Sequence, residues 1–190
     1  MACRDLNIAG LLAKRGAIRW EDETVSVLDH ALQCAAHARV ARASDEVVLA
    51  ALLHDVGHLL SDAQESPLSH HGLWAARFLR PFVPAQVAWL VEHHVLAKRY
   101  LCTVNSGYLE RLSPGSLRSW IRQGGPLDRE ARGALEARPW LPDVLAIRRW
   151  DEAAKEPTAR VPPLRAYRDL LEGCFGRQPW PVGHDLATTL

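Results

Sequence analysis

The sequence contains no apolar run long enough to cross a membrane, since a transmembrane helix needs about 20 consecutive apolar residues. Its formal net charge is only +1, which argues against a nucleic-acid-binding surface, because phosphate backbones select strongly basic faces. The amino-terminal segment carries the acidic residue Asp5 and lacks a small-residue cleavage pattern, so it does not resemble a signal peptide. We therefore expect neither a membrane nor a nucleic acid as a partner.

Cysteines are few and scattered, and none of the four forms a CxxC spacing (Cys3, Cys34, Cys102 and Cys174). This distribution excludes a zinc ribbon and argues against a disulfide framework. Reduced thiols are typical of a cytoplasmic protein, which is the location we expect. With 190 residues, 48% of them apolar, the chain suits one globular domain, here predicted over residues 1–175 and followed by an irregular tail over 176–190. We expect a monomer or a weak homo-oligomer.

Helical periodicity dominates the sequence, and alternating runs long enough for a sheet are missing. Apolar residues recur at three- and four-residue spacing over residues 24–42. Ser44 is a predicted N-cap, with acidic residues in the following turn, of a helix that ends near Gly57. Further helices are predicted over 70–79, 84–101, 114–122, 142–154 and 163–174. The predicted fold class is all-α.

Histidine is abundant, and most of the nine histidines fall between residues 54 and 94. The strongest motif is His54-Asp55-Val56-Gly57-His58, which follows the apolar run 47–53. Adjacent histidine and aspartate at a helix end can both reach one metal ion, or bridge two, because the chain turns there. His58 lies one helical turn beyond His54 and can face the same cavity. A bare His-Asp pair is common by chance, whereas this longer pattern is far more specific.

The motif resembles that of the HD-domain metal-dependent phosphohydrolase superfamily, in which the His-Asp pair closes a buried helix. The resemblance implies a single-domain helical bundle with metal ligands at four positions: His30, His54, Asp55 and Asp151. Additional ligands would allow a second metal ion. The chain offers His71 and His94 for this purpose, and six imidazole and carboxylate ligands suit a pair of irons.

Several stretches outside the ligands resemble the mixed-valent diiron HD oxygenases that cleave organophosphonates, the PhnZ and TmpB type. They are VLAALLHDVGH, HHVLAKRYL, QGGP and IRRWDE, and the similarity covers roughly residues 20–170. It implies two irons in the Fe(II)/Fe(III) state, O2 as co-substrate and Asp55 as the bridging ligand. His71 is preferred over His70 as a ligand because Ala75-Ala76 lies at the family's spacing from it, although His70 stays an alternative.

The same resemblance implies which residues hold the phosphonate group. Lys98 lies one turn after His94 and is expected, with His58, to contact it through charge-assisted hydrogen bonds. Ser116 and Arg148 are weaker candidates for the same role. Lys98 and His58 would therefore act beside the diiron centre in catalysis.

Trp20 and Glu23 occupy the positions that recognise the substrate amine in aminophosphonate-cleaving relatives. A carboxylate neutralises an ammonium, and an indole face attracts it by about 0.5–2 kcal/mol. An ordinary loop residue and a solvated acid remain the alternative for this pair. Three other histidines, His37, His93 and His184, are expected to be surface or packing residues.

The expected reaction is oxidative cleavage of the carbon–phosphorus bond of a 1-hydroxy-2-(trimethylammonio or amino)ethylphosphonate, which yields phosphate and glycine betaine or glycine. A metal-dependent phosphohydrolase, such as a nucleotidase or phosphatase, is the alternative, and it predicts phosphate release without oxygen. A non-catalytic HD module has no physical need for six metal-binding groups. Inositol-type oxidation is a weaker possibility, because nothing in the sequence favours a polyol.

Overall fold

The computed structural model describes residues 6–19, 24–60, 70–177 and 179–181. Within these ranges the chain folds into helices joined by short turns, and the backbone pairs as a β-bridge only between Arg19 and Ser26. The all-α prediction is confirmed. The helices are α1 (Ile8–Arg15), α2 (Val27–Val40), α3 (Asp45–Leu53), α4 (Gly57–Leu60), α5 (His71–Leu79), α6 (Ala85–Val104), α7 (Ser106–Leu109), α8 (Pro114–Arg122), α9 (Arg129–Glu136), α10 (Leu141–Ala153) and α11 (Arg168–Phe175).

Helix α3 forms the centre of the bundle. Every residue from Val47 to Leu53 is buried, with an exposed fraction of 3% or less, so this helix is apolar on all sides, as expected for a fully enclosed helix. It packs against α2, α6, α10 and α11. Burying a leucine side chain stabilises the fold by about 1.5–3 kcal/mol. The His-Asp pair that follows Leu53 is thereby held in the middle of the molecule.

The turn after α3 sets the direction of the His-Asp motif. Helix α3 ends at Leu53 and α4 begins at Gly57, so the chain changes direction at the His-Asp pair. A Cβ atom on Gly57 would lie 2.2 Å from the carbonyl oxygen of His71. Only glycine permits this close approach of α4 to the start of α5, which brings two parts of the predicted site together.

Serine caps define several helix starts as the sequence predicts. The Ser44 side chain accepts a hydrogen bond from the Val47 amide at 3.4 Å, and Ser113 accepts one from the Ser116 amide at 3.2 Å. Helix α8 has the predicted bounds, Pro114–Arg122. The predicted segment 163–174 is divided into a 3-10 turn, Leu164–Tyr167, and α11.

The sequence interpretation missed α1, α4, α7 and α9, which are all of eight residues or fewer. Short helices carry too few apolar repeats to stand out, and α9 buries only Leu135. The described tail positions after Phe175 are not helical, and the rest of the predicted tail lies outside the described residues. Among the helices described, none is both long and apolar enough to cross a bilayer.

Candidate functional site

The ends of α2, α3 and α10 bring three predicted ligands together. The Nε2 atoms of His30 and His54 lie 3.2 Å apart. Asp151, near the end of α10, places Oδ1 3.3 Å from His30 Nε2 and Oδ2 3.9 Å from His54 Nε2. All three side chains are buried. These polar atoms therefore lie close together although the residues span most of the chain, and the group whose ligand atoms have the spacing of one metal site is His30, His54 and Asp55.

A second group forms where α5 and α6 pack together. His71 at the start of α5 and His94 in the middle of α6 bring their Nε2 atoms to 2.9 Å. Asp55 Oδ1 lies 3.3 Å from His71 Nε2 and 3.5 Å from His94 Nε2. These three residues have the geometry of a second metal site.

Asp55 joins the two groups. Its other oxygen, Oδ2, lies 3.7 Å from His30 Nε2 and 3.4 Å from His54 Nε2. Burial alone would raise the pKa of this carboxyl, but His54, His71 and His94 hold the pKa well below its usual value. Asp55 is thus a carboxylate whose two oxygens face two separate histidine pairs, which is the arrangement of a bridging ligand.

Backbone carbonyls orient three of the imidazoles. The Nδ1 atoms of His30, His54 and His94 lie 2.8, 2.8 and 2.7 Å from the carbonyl oxygens of Ala154, Ala51 and Val91, respectively. Because a carbonyl can only accept, each Nδ1 must donate a hydrogen, which in the neutral imidazole leaves the Nε2 lone pair facing the cluster. Hydrogen bonds of this kind fix the tautomer and raise the basicity of metal-binding histidines.

The donor set therefore suits a metal cofactor. Imidazole nitrogens and carboxylate oxygens together are ligands for iron, and also for manganese, cobalt and zinc. Asp151 would bind through one oxygen, because Arg148 donates a hydrogen bond to its Oδ2. The six predicted ligands, His30, His54, Asp55, His71, His94 and Asp151, lie in one continuous buried cluster.

A cavity of about 310 Å³ opens above the cluster. Its walls carry all four of the predicted phosphonate-binding side chains, His58, Lys98, Ser116 and Arg148. His58 stacks on the His71 ring at 4.1 Å between centroids, and burial together with the nearby histidines lowers the pKa of His58 to about 3. His58 is therefore a neutral polar group at physiological pH.

Lys98 points from α6 into the cavity wall, where its Nζ donates a hydrogen bond to Ser119 Oγ at 2.6 Å. Its side chain is buried, with 6% of the residue exposed. Burial, with the nearby positive charges of Arg148 and Lys155, lowers the pKa of Lys98 to about 7. A bound anion would favour its charged form.

Arg148 is surrounded by acceptors. Its Nε donates to the Tyr108 hydroxyl at 2.8 Å, and its two terminal nitrogens donate to Asp151 and Glu152. The guanidinium is 3% exposed. Although burial opposes the charge, Asp151, Tyr108 and Glu152 raise the pKa of Arg148. Arg148 thus connects a candidate metal ligand to the cavity wall that also carries Lys98 and Ser116.

Other predicted positions lie elsewhere. His70 and His37 are exposed, and His93 stacks on Trp89 with ring centroids 4.1 Å apart. Trp20, Glu23 and His184 lie outside the described residues, so their predicted roles stay predictions.

Sequence reasoning missed four polar residues of this site: Tyr108, Ser119, Glu152 and Lys155. Ser119 lies three residues after Ser116 in α8, so the two share a helical face, whereas Lys155 lies just beyond the end of α10. Helical spacing alone could have indicated Ser119.

Comparison with known proteins identifies the family. Residues 26–152 match the HD domain, and this stretch contains all six candidate ligands. The chain belongs to the HD-domain family. It is 39% identical over 161 residues to the hydroxymethylphosphonate dioxygenase of Gimesia maris, and the alignment covers 81% of this chain and 80% of that protein.

A second relative is the [1-hydroxy-2-(trimethylamino)ethyl]phosphonate dioxygenase (glycine-betaine-forming) of Leisingera caerulea. It is 35% identical over 160 residues, which cover 82% of each chain. Among HD-domain proteins the chain thus groups with phosphonate dioxygenases, which confirms the predicted resemblance and the prediction of an oxygenase. A metal cofactor and O2 belong to this type of enzyme, and the buried histidine and aspartate groups are suited to hold the metal.

Proposed function

We propose that this protein uses two irons and O2 to cleave the carbon–phosphorus bond of a 1-hydroxyalkylphosphonate. The observation that carries the proposal is the position of Asp55. Its Oδ2 lies within 3.7 Å of His30 and His54, and its Oδ1 lies within 3.5 Å of His71 and His94. A single-metal phosphohydrolase requires only the first of these groups, whereas a bridged pair of metals requires both.

The overall reaction converts the hydroxyalkylphosphonate and O2 into a carboxylate and phosphate. One C–H bond and the C–P bond of the substrate break, carbon is oxidised to the carboxylate level, and O2 is reduced. A mixed-valent Fe(II)/Fe(III) pair would supply O2 activation and a Lewis-acidic position for the 1-hydroxyl group. Atoms and electrons balance without any further reductant.

The side chains above the cluster bind and orient the phosphonate. Lys98 Nζ offers a charged donor from α6, and it is held by its hydrogen bond to Ser119 Oγ at 2.6 Å. Ser119 of α8 donates its own hydroxyl hydrogen to the Ser116 carbonyl at 3.0 Å. His58 contributes a neutral imidazole whose Nε2 lies 3.8 Å from Asp55 Oδ1, and it lines the same cavity as Lys98. Holding the phosphonate there would direct its carbon toward the irons and away from solvent.

The substrate that we propose first is 1-hydroxy-2-(trimethylammonio or amino)ethylphosphonate, with glycine betaine or glycine as the organic product. Trp20 and Glu23 would recognise its cationic end. Thr24, the next residue in the chain, donates a hydrogen bond to the Lys155 carbonyl at 2.9 Å, and Val25 lines the cavity. The chain therefore reaches the cavity wall immediately after these two positions.

Hydroxymethylphosphonate is the second candidate, because the relative with 39% identity is named for it. This substrate has no cationic end, so it would not require Trp20 or Glu23. The two candidates differ in their organic product, which is formate for hydroxymethylphosphonate.

The test is a turnover assay with iron-loaded protein that was purified without oxygen. Each of the three phosphonates is supplied with and without O2, and phosphate and the organic acid are measured. The proposal predicts oxygen-dependent release of both in equal amounts. Phosphate release that persists without O2 would establish a hydrolase instead. The variants Trp20→Ala and Glu23→Gln should impair only the substrates that carry an amine.

A further inference from the structure

The backbone that follows α10 is held by side chains from the amino-terminal part of the chain. Helix α10 ends at Ala153, so the carbonyl groups of the residues after it receive no hydrogen bond from that helix. Ala154 is fully buried, and a buried backbone group needs a hydrogen-bond partner. We call residues 154–156 the post-α10 segment, and each of its three carbonyl groups accepts a hydrogen bond from a side chain.

Gln33 binds the far end of the post-α10 segment with both ends of its amide group. Its Nε2 donates to the Glu156 carbonyl at 2.9 Å, and its Oε1 accepts from the Glu156 amide at 3.1 Å. Gln33 is only 4% exposed, whereas glutamine is mostly found on protein surfaces. Because the two bonds use both the donor and the acceptor of the side chain, they fix the backbone of Glu156 in position and in direction.

His30 binds the near end of the same segment. Its Nδ1 lies 2.8 Å from the Ala154 carbonyl oxygen. Gln33 follows His30 by three residues, so the two side chains leave the same face of α2. Between these two contacts, Thr24 Oγ1 donates to the Lys155 carbonyl at 2.9 Å. The hydrogen bonds of Gln33 and of a candidate metal ligand therefore hold one short piece of backbone.

His30 differs from the other two oriented imidazoles in the origin of its acceptor. The carbonyls that accept from His54 and His94 lie three residues earlier in the chain, so the local backbone places them. The Ala154 carbonyl lies 124 positions from His30, and Ala154 has a non-helical ψ of 43°. Contacts between distant parts of the chain must therefore place this acceptor, and the paired hydrogen bonds of Gln33 are such contacts.

We propose that Gln33 is a positioning residue for the metal position formed by His30, His54 and Asp55. It holds the post-α10 segment so that the Ala154 carbonyl keeps the hydrogen of His30 on Nδ1 and the Nε2 lone pair toward the metal. This inference rests on the metal centre of the proposed function, but not on its substrate. Loss of a hydrogen-bond partner of a metal-binding histidine costs about 10–100-fold in metal affinity, and Gln33, which acts through Ala154, belongs at the lower end.

The test is stepwise removal of Fe(II) by a competing chelator from protein that was loaded without oxygen. We expect Gln33→Leu to weaken one Fe(II) position by about tenfold and to leave the other as in the wild type. The fold should survive, because Glu156 is exposed and its freed backbone groups can bind water. Gln86→Leu is the matched control: its Nε2 donates to Asp143 at 3.0 Å, between α6 and α10, and both positions should keep their affinity.

A second measurement follows the His30 ring directly. Zinc suits the same ligands and is diamagnetic, so nitrogen-15 NMR of the zinc-loaded protein can observe the histidine Nδ1 hydrogens. In Gln33→Leu the His30 signal should be lost through exchange with solvent, while the signals of His54 and His94 stay. A merely structural role would lower the free energy of unfolding without this selective loss.

Wild-type affinity at both positions, with an unchanged His30 signal, would overturn the inference, and so would equal weakening of both positions. If Gln33→Leu does not fold, Gln33→Glu keeps the size but places a carboxylate against the Glu156 carbonyl, and the same two measurements decide. A wild-type protein that binds only one ion per chain would contradict the proposed function, whereas selective loss of the His30 signal in Gln33→Leu would still support the role of Gln33.

Discussion

The Nε2 atoms of His71 and His94 lie 2.9 Å apart, although the two residues are separated by 23 positions and belong to different helices. The His94 ring donates its Nδ1 hydrogen to the Val91 carbonyl at 2.7 Å. Its Nε2 lone pair therefore faces His71 and the Asp55 carboxylate. Such electron-rich atoms repel one another unless a proton or a metal ion lies among them, and a cation bound by all three removes the repulsion.

Removing either imidazole should therefore empty one metal position and spare the other. We expect His71→Ala and His94→Ala to lower the metal content from about two ions per chain to about one, because Asp55 still serves the other histidine pair. Metal analysis after anaerobic purification measures this. The neighbouring variants His70→Ala and His93→Ala are the controls and should keep both ions. Loss of both ions in His94→Ala would contradict two separable positions.

The metal-free protein should be unusually sensitive to mild acid. Burial and neighbouring histidines lower the pKa of His94 to about 4 and of His58 to about 3, whereas an unfolded histidine titrates near 6.5. Below pH ~6.5 these two histidines take up protons in the unfolded chain but not in the folded one, so their contribution lowers the free energy of unfolding as the pH falls toward 4. Above pH ~6.5 these groups contribute a constant amount to the free energy of unfolding.

Urea unfolding of chelator-treated protein across this pH range tests the expectation. His58→Gln should flatten the decline, because one group that resists protonation has been removed. His37→Gln, at an exposed position, should leave the slope as in the wild type. A decline that is equally steep in His58→Gln would show that His58 does not contribute.

Much of the site could be predicted from the sequence because its residues lie at fixed offsets within strong helical patterns. The His-Asp pair follows the fully apolar stretch of α3, and His94 and Lys98 share one face of a long helix. Arg148 donates a hydrogen bond to Asp151, which lies three residues later in α10, so this contact also follows helical spacing. These local relationships need no knowledge of how the helices pack.

The remaining features depend on contacts between distant elements. The hydrogen bonds from Lys155 to Ser113 and Ser116 join the end of α10 to the start of α8, and no local pattern predicts that meeting. The close approach of Gly57 to His71 likewise depends on how α4 packs against α5. Short helices such as α7 were missed because their stability comes from tertiary contacts rather than from periodic apolar residues.

Arg148 should be essential for stability as well as for the site. Its guanidinium is buried and donates to Asp151, Glu152 and Tyr108. Replacing it with methionine leaves the buried Asp151 carboxylate without this cation, whereas the half-buried Glu152 keeps Lys155 at 3.6 Å. Breaking a buried ion pair in this way costs about 3–5 kcal/mol. Chemical denaturation should therefore show a large loss in Arg148→Met. Arg149→Met is the control, because Arg149 is exposed, and a comparable loss in both variants would contradict a specific role.

Unlike Arg148, Lys98 should lower the stability of the metal-free protein while it strengthens the binding of an anion. The pKa of Lys98 is lowered to about 7, first by burial and then by nearby cations, while an unfolded lysine titrates near 10.4. The folded state therefore carries the full penalty of burying the charge below pH ~7. The penalty shrinks as the pH rises from there toward ~10.4, because the folded side chain is already neutral while the unfolded one is still charged.

Lys98→Met should consequently raise the stability of the metal-free protein near pH ~6, and its advantage over the wild type should narrow as the pH approaches ~9. The same variant should lose affinity for methylphosphonate, because the anion loses a charged donor. Urea unfolding at the two pH values and calorimetry of the iron-loaded protein measure these effects. Lys14→Met should show neither. A variant that is less stable than the wild type at the lower pH would mean that the contact with Ser119 outweighs the cost of burying the ammonium.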